Sequence, residues 1–168
     1  MNYTIDVVKF RVAREVAHKM SRDQHRLSQP NVVAALAREV IPDDGREHFG
    51  MFMLNVQNEL VAYHEISMGT LTASLVSPRE VFGAALRTLG VAAVILVHNH
   101  PSGSVTPSRE DMALTKTLVK AGKLLDIPVL DHVIIDGGAS RDFYAFALSG
   151  ELSREGGEAE QQIVKEEV

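Results

Sequence analysis

Residues Val91 to Asp111, VAAVILVHNHPSGSVTPSRED, constrain the fold more than any other stretch. Val91 to Val97 is an unbroken apolar run with three valines and an isoleucine. Such a run reads as a strand buried on both faces, the kind found inside an α/β sheet. It stops at His98-Asn99-His100. Side chains two apart on a strand share a face, so His98 and His100 can converge on one ion at the strand end. Pro101, Ser102, Gly103 and Ser104 predict a turn. Thr106-Pro107 reads as a helix start, with Thr106 as N-cap and proline in the first turn. Ser108 and Asp111 then fall on one face of that turn, aimed back at the histidines.

Two imidazoles and one carboxylate are the ligand set of an open zinc site. Such a site lowers the pKa of its water to ~7 and polarises a carbonyl. The predicted ligands are therefore His98, His100 and Asp111, with Zn2+ as the expected ion, although the same donors suit other divalent metals. A chain without cysteine has neither thiolate ligands nor disulfides. It also lacks the cysteine pair of a zinc deaminase. No HExxH, P-loop or GxSxG is present. His98-Asn99-His100 matches the letters of an HNH nuclease only by coincidence, because that motif is dispersed along its chain.

At these residues a family resemblance enters. His98-x-His100, seven residues, Ser108, two residues and Asp111 resembles the JAMM motif of MPN/JAB metallopeptidase domains. The text ILVHNHPSG, followed by TPSREDMALTKTLVKAGKLLDIPVLDHVII, is similar to the RadC branch of that family. The similarity runs from about Glu47 to Gly138. It implies a mixed, curved β-sheet flanked by helices, the deaminase-like MPN fold. It further implies a zinc-dependent hydrolase acting on a peptide or isopeptide bond, with a peptide or protein conjugate as substrate.

A base must take the proton of the attacking water. Spacing alone leaves Glu47, Glu65, Glu110 and Asp131 open. The resemblance selects Glu47, because Glu47-His48-Phe49-Gly50 is similar to the family's E-x-x-G arrangement. It also favours Ser108 as a donor to the developing oxyanion, where one such bond is worth ~3 kcal/mol. A first-turn serine can equally satisfy free helix N–H groups. His132, beside Asp131, has two readings, a support behind the site's ligands or a buried, hydrogen-bonded core histidine, and the second is favoured. His18, His25, His48 and His64 show no partners in the sequence.

The rest of the chain supplies a frame. Residues 3–12 read as a first strand, and SQPNVVAALAREV from Ser28 as an amphipathic helix. A hairpin is predicted from His48–Val56 and Leu60–Met68. Ser77-Pro78-Arg79-Glu80 reads as a capping box opening a helix that runs to Gly90. A long helix after Pro107 reaches about Leu125, with Gly122 weakening it by up to ~1 kcal/mol relative to alanine. PVLDHVIID is a further strand, and Phe143 to Leu148 a short strand or turn. These elements predict one α/β domain over residues 1–150, with its core in 47–148 and an N-terminal strand and helix in 3–40.

Charge bears on partners. The 168 residues carry a net −5, of which residues 151–168 hold −4 as an acidic tail. The remainder is nearly neutral, which argues against strong general affinity for nucleic acid. No apolar run approaches the ~20 residues of a membrane span, and the N-terminus has no signal-peptide shape. A cytoplasmic hydrolase is the expectation. The alternative is a metal-stabilised, non-catalytic interaction module linked to DNA repair or processing.

Overall fold

The computed structural model of the chain describes residues 26–69, 76–137 and 141–152. The predicted strand at 3–12 and the tail beyond residue 152 lie outside these. The described elements are α1 (Pro30–Val40), β1 (His48–Leu54), β2 (Leu60–Met68), α2 (Pro78–Arg87), β3 (Ala93–His100), α3 (Arg109–Leu124), β4 (Val129–Asp136), β5 (Phe143–Ala145) and α4 (Phe146–Ser149).

The five strands form one mixed sheet in the order β2-β1-β3-β4-β5. β1 lies antiparallel to both β2 and β3, and β4 runs parallel to β3. A parallel pair needs a crossover, and α3 supplies it. The sheet is covered on both faces. Phe52, Leu54, Ile95, Val97, Val133 and Ile135 pack with Val33, Leu36 and Ala37 of α1. Phe49, Met51, Met53, Val94 and Leu96 pack against Val81 and Phe82 of α2 and Leu118 of α3. This is why β1 and β3 read as continuous apolar runs rather than alternating ones: every residue of β1 is buried. Fully buried side chains such as Phe49, Phe52 and Phe82 each contribute roughly 1.5–3 kcal/mol relative to exposure. The sequence expectation of an α/β domain with a mixed sheet flanked by helices therefore holds.

Two local expectations are corrected. The helix after Pro107 begins at Arg109, with Ser108 rather than Thr106 as its N-cap. Ser108 Oγ accepts the Asp111 N–H at 3.0 Å, and Asp111 Oδ2 accepts the Ser108 N–H at 2.7 Å. Thr106 would face Arg109 three residues on, which has no acceptor to return such a bond. The helix from Pro78 ends at Arg87, before Gly90. Thr88 donates its hydroxyl to the Ala84 carbonyl at 3.0 Å, and Gly90, at φ 83°, turns the chain towards β3.

Gly122, read as a weakness in α3, is a packing requirement. A Cβ there would stand 2.5 Å from the Ile127 carbonyl oxygen and 3.0 Å from the Phe82 ring. The glycine lets α3 turn back closely into β4. Lys116, Lys120 and Lys123 are exposed, as expected for a solvated face.

Candidate metal centre

The C-terminal end of β3, the start of β1 and the first turn of α3 meet at one end of the sheet. Crevices outside the carboxyl ends of parallel strands are the usual ligand sites of open α/β sheets. His98 and His100 leave β3 on the same face, with their Nε2 atoms 2.8 Å apart. Asp111 Oδ1 lies 3.4 Å from His98 Nε2, and Asp111 Oδ2 3.5 Å from His100 Nε2. Glu47 Oε1, from the residue before β1, lies 3.8 Å from His100 Nε2. One ligand atom each from Glu47, His98 and His100 fall within 4.8 Å of one another. All four groups therefore converge.

The hydrogen-bond network dictates where the ring protons sit. His100 Nδ1 lies 2.6 Å from the Ser104 carbonyl oxygen. A carbonyl only accepts, so Nδ1 carries the proton and the Nε2 of the neutral ring is a bare lone pair. The other ring is settled by a longer chain. Thr115 donates its hydroxyl proton to the Asp111 carbonyl at 2.6 Å. Its oxygen, 2.6 Å from His132 Nδ1, must then accept. Neutral His132 is thus protonated on Nδ1, and its Nε2 accepts from His98 Nδ1 at 2.8 Å. That leaves His98 Nε2 bare as well. With both rings neutral, as metal binding requires, two unprotonated nitrogens and three carboxylate oxygens face one another, a donor set that fits a divalent cation.

Electrostatics keep His98 and His132 neutral, whereas His100 is drawn towards its protonated form. Burial pushes His98 well below the ordinary histidine value and His132 down to about 4. Both rings are walled by aromatics: Phe146 stacks on His132 at 5.0 Å between centroids, and Phe49 on His98 at 6.0 Å. His100, less buried, is raised chiefly by its bond to Asp111. Burial also pushes Asp111 up, but His100, His98 and Ser108 outweigh it and hold the carboxylate below its usual range.

Ser108 is bound to Asp111 three times over. Besides the two capping bonds, its Oγ–H donates to Asp111 Oδ2 at 2.6 Å. The hydroxyl proton is thus directed at Oδ2, while Oδ1, the oxygen nearer His98, takes neither Ser108 bond.

Two of the other candidate bases, Glu65 and Asp131, are engaged elsewhere. Glu65 lies 2.6 Å from His48 Nδ1, and Asp131 Oδ1 accepts the backbone N–H groups of His132 and Ala147. Glu110 is exposed in the first turn of α3. His48, which showed no partner in the sequence, also meets Asp44 at 3.0 Å and is 1% exposed. Carboxylates only accept, so His48 meets both as an imidazolium. Despite its burial, these bonds raise its pKa. His132 is buried as expected, and it is also tied directly to a candidate ligand, the less favoured of its two sequence readings. Its signal was weak: an apolar strand carrying one histidine, with Thr115 seventeen residues earlier.

Fold and site together define a JAB/MPN-class α/β domain with a metal-ready histidine–carboxylate cluster. The family model of the RadC-like JAB domain matches residues 27–151, and the chain belongs to that family. It is 45% identical over 135 residues to a UPF0758 protein of Caldanaerobacter subterraneus, covering 78% of this chain and 58% of the relative. A UPF0758 protein of Desulforamulus reducens is 52% identical over 106 residues, 63% of this chain and 46% of the relative. One from Rubrobacter xylanophilus is 47% identical over 130 residues, 75% and 57% respectively. The chain thus spans about half the length of the curated relatives it matches. No helix among the described residues is long and apolar enough to cross a membrane.

Proposed function

We propose that the chain is a zinc-dependent metallohydrolase of the cytoplasm that cleaves a peptide or isopeptide bond in a peptide or protein conjugate. The observation that carries this reading is the convergence of His98 Nε2 and His100 Nε2, 2.8 Å apart, beside the Asp111 carboxylate. His98, His100 and Asp111 Oδ1 would hold the ion. When bound, zinc with an open position polarises a carbonyl and lowers the pKa of a water to ~7. The JAMM-like arrangement supports the choice of an amide-type bond, and the nearly neutral body of the domain supports a substrate other than nucleic acid.

Two carboxylates border the histidines, and their surroundings divide their roles. Asp111 is 4% exposed in its side chain and tied to Ser108, whereas Glu47 is 24% exposed and farther from the nitrogens. Asp111 suits a fixed ligand. Glu47 suits a base that takes a proton from water and returns it to the leaving nitrogen. Ser108 secures Asp111, and its hydroxyl can turn from Oδ2 to a developing oxyanion.

Elemental analysis of the parent and of His98→Ala/His100→Ala tests the ligands. About one zinc per chain is expected in the parent and almost none in the variant. An empty parent after incubation with zinc would sink the proposal. Glu47→Gln should keep the zinc and lose hydrolysis across a panel of peptides and isopeptide-linked conjugates. Loss of zinc would make Glu47 a ligand instead. Bound zinc with no cleavage by the parent would favour the interaction-module alternative.

A further inference from the structure

Asn99 stands between the two histidines of β3, so its side chain leaves the opposite face of the strand. It is 4% exposed. Its Oδ1 accepts the His48 N–H at 2.7 Å, and its Nδ2 donates to the Arg46 carbonyl at 2.9 Å. An N–H only donates and a carbonyl only accepts, so these partners fix which amide atom is which.

The two groups that Asn99 holds belong to the peptide planes on either side of Glu47. The β1–β3 ladder pairs Phe49 with His98 and goes no further towards Glu47. One residue on, the Asn99 side chain takes over from the backbone. The plane between Glu47 and His48 is held at its other end too, because the Glu47 carbonyl accepts the Gly69 N–H at 2.7 Å. The Glu47 backbone is therefore clamped between the end of β2 and the residue that separates the two histidines.

We infer that Asn99 is a positioning residue: through the Arg46 carbonyl and the His48 amide it holds the Glu47 carboxylate in register with His98 and His100. The inference rests on the metal-site reading above. It assigns a reason for a buried amide between the histidines. Alanine would leave the Arg46 carbonyl and the His48 amide without these partners, and aspartate would keep only the bond to His48.

The test is a double-mutant cycle in the full 168-residue chain. Parent, Asn99→Ala, Glu47→Gln and the double variant are loaded with cobalt(II) alone, and their visible absorption bands are compared. All four should bind about one cobalt per chain, because the histidines and Asp111 remain. Asn99→Ala should shift the bands when residue 47 is glutamate and leave them unchanged in the Glu47→Gln background. Exchange of the His48 amide hydrogen should accelerate on the order of tenfold in Asn99→Ala, as expected for one lost buried hydrogen bond. If Asn99→Ala does not fold, Asn99→Asp serves the same cycle.

Equal shifts in both backgrounds would overturn the inference, since Asn99 would then act on the histidines and not on Glu47. So would the absence of a shift in the glutamate background. A purely structural role would lower the unfolding temperature without making the shift depend on residue 47. A parent that binds no cobalt overturns the metal reading together with this inference; a parent that binds it, with additive shifts, overturns this inference alone.

Discussion

His98 Nδ1 lies 2.8 Å from His132 Nε2, and this one bond connects a candidate ligand on β3 to the interior of β4. Its direction follows from the Thr115 hydroxyl and the Asp111 carbonyl behind it. The chain from His98 through His132 and Thr115 returns to Asp111, whose carboxylate faces His98 again at 3.4 Å. The candidate ligand set is thus braced as a ring rather than held residue by residue.

His132→Phe keeps an aromatic ring against Phe146 and removes the acceptor for His98. Zinc affinity should fall about 10–100-fold, the usual effect of losing a ligand's hydrogen-bonded support. Competition with a chromophoric chelator measures it. Unchanged affinity would mean that packing alone orients His98.

The same residue makes stability depend on pH in the metal-free protein. The folded pKa of His132 is pushed down to about 4, from 6.5. Between these values the unfolded chain binds the extra proton and the folded chain does not. This contribution is therefore complete above pH 6.5 and is lost as pH falls towards 4. At ~1.4 kcal/mol per pH unit, about 3 kcal/mol is involved. Urea unfolding at pH 7 and pH 4.5 should show a smaller acid loss in His132→Phe than in the parent. Parallel losses would show that other groups, His98 foremost, carry the acid sensitivity.

Ser108→Ala separates cap from catalyst. Loss of the capping bond should cost about 1 kcal/mol of stability. If the hydroxyl also serves the oxyanion, hydrolysis should fall on the order of 10²–10³-fold while zinc is retained. A stability loss with unchanged turnover would leave Ser108 as a helix cap that steadies Asp111.

Gly122→Ala sets helix propensity against packing. Propensity favours alanine by up to ~1 kcal/mol, but the new methyl would stand 2.5 Å from a backbone oxygen. Overpacking of this kind costs about 1–3 kcal/mol, so the urea midpoint should drop. A raised midpoint would show that the α3–β4 turn yields easily.

Local patterns in the sequence determined much of this protein. The apolar run before His98 specified a strand buried on both faces, because only such a strand dispenses with polar alternation. The bounds of β2, Leu60–Met68, followed from its apolar content and the preceding turn. The convergence of His98 and His100 followed from the period of a strand, and the nearness of Asp111 from a short turn into a helix. These are relations over a few residues, and chain stereochemistry settles them. Tertiary structure decided the rest. His132 is 34 residues from His98, Glu65 is 17 from His48, and Asn99 is 53 from Arg46. Which side chain meets which across such separations depends on strand order and register, to which local periodicity is blind. Gly122 looked like a defect because propensity weighs only a residue's own helix, while its reason is a carbonyl five residues on and a phenylalanine from α2. The candidate ligands were legible because they are close in sequence; the residues that brace and aim them became visible only once β1, β3 and β4 lay side by side.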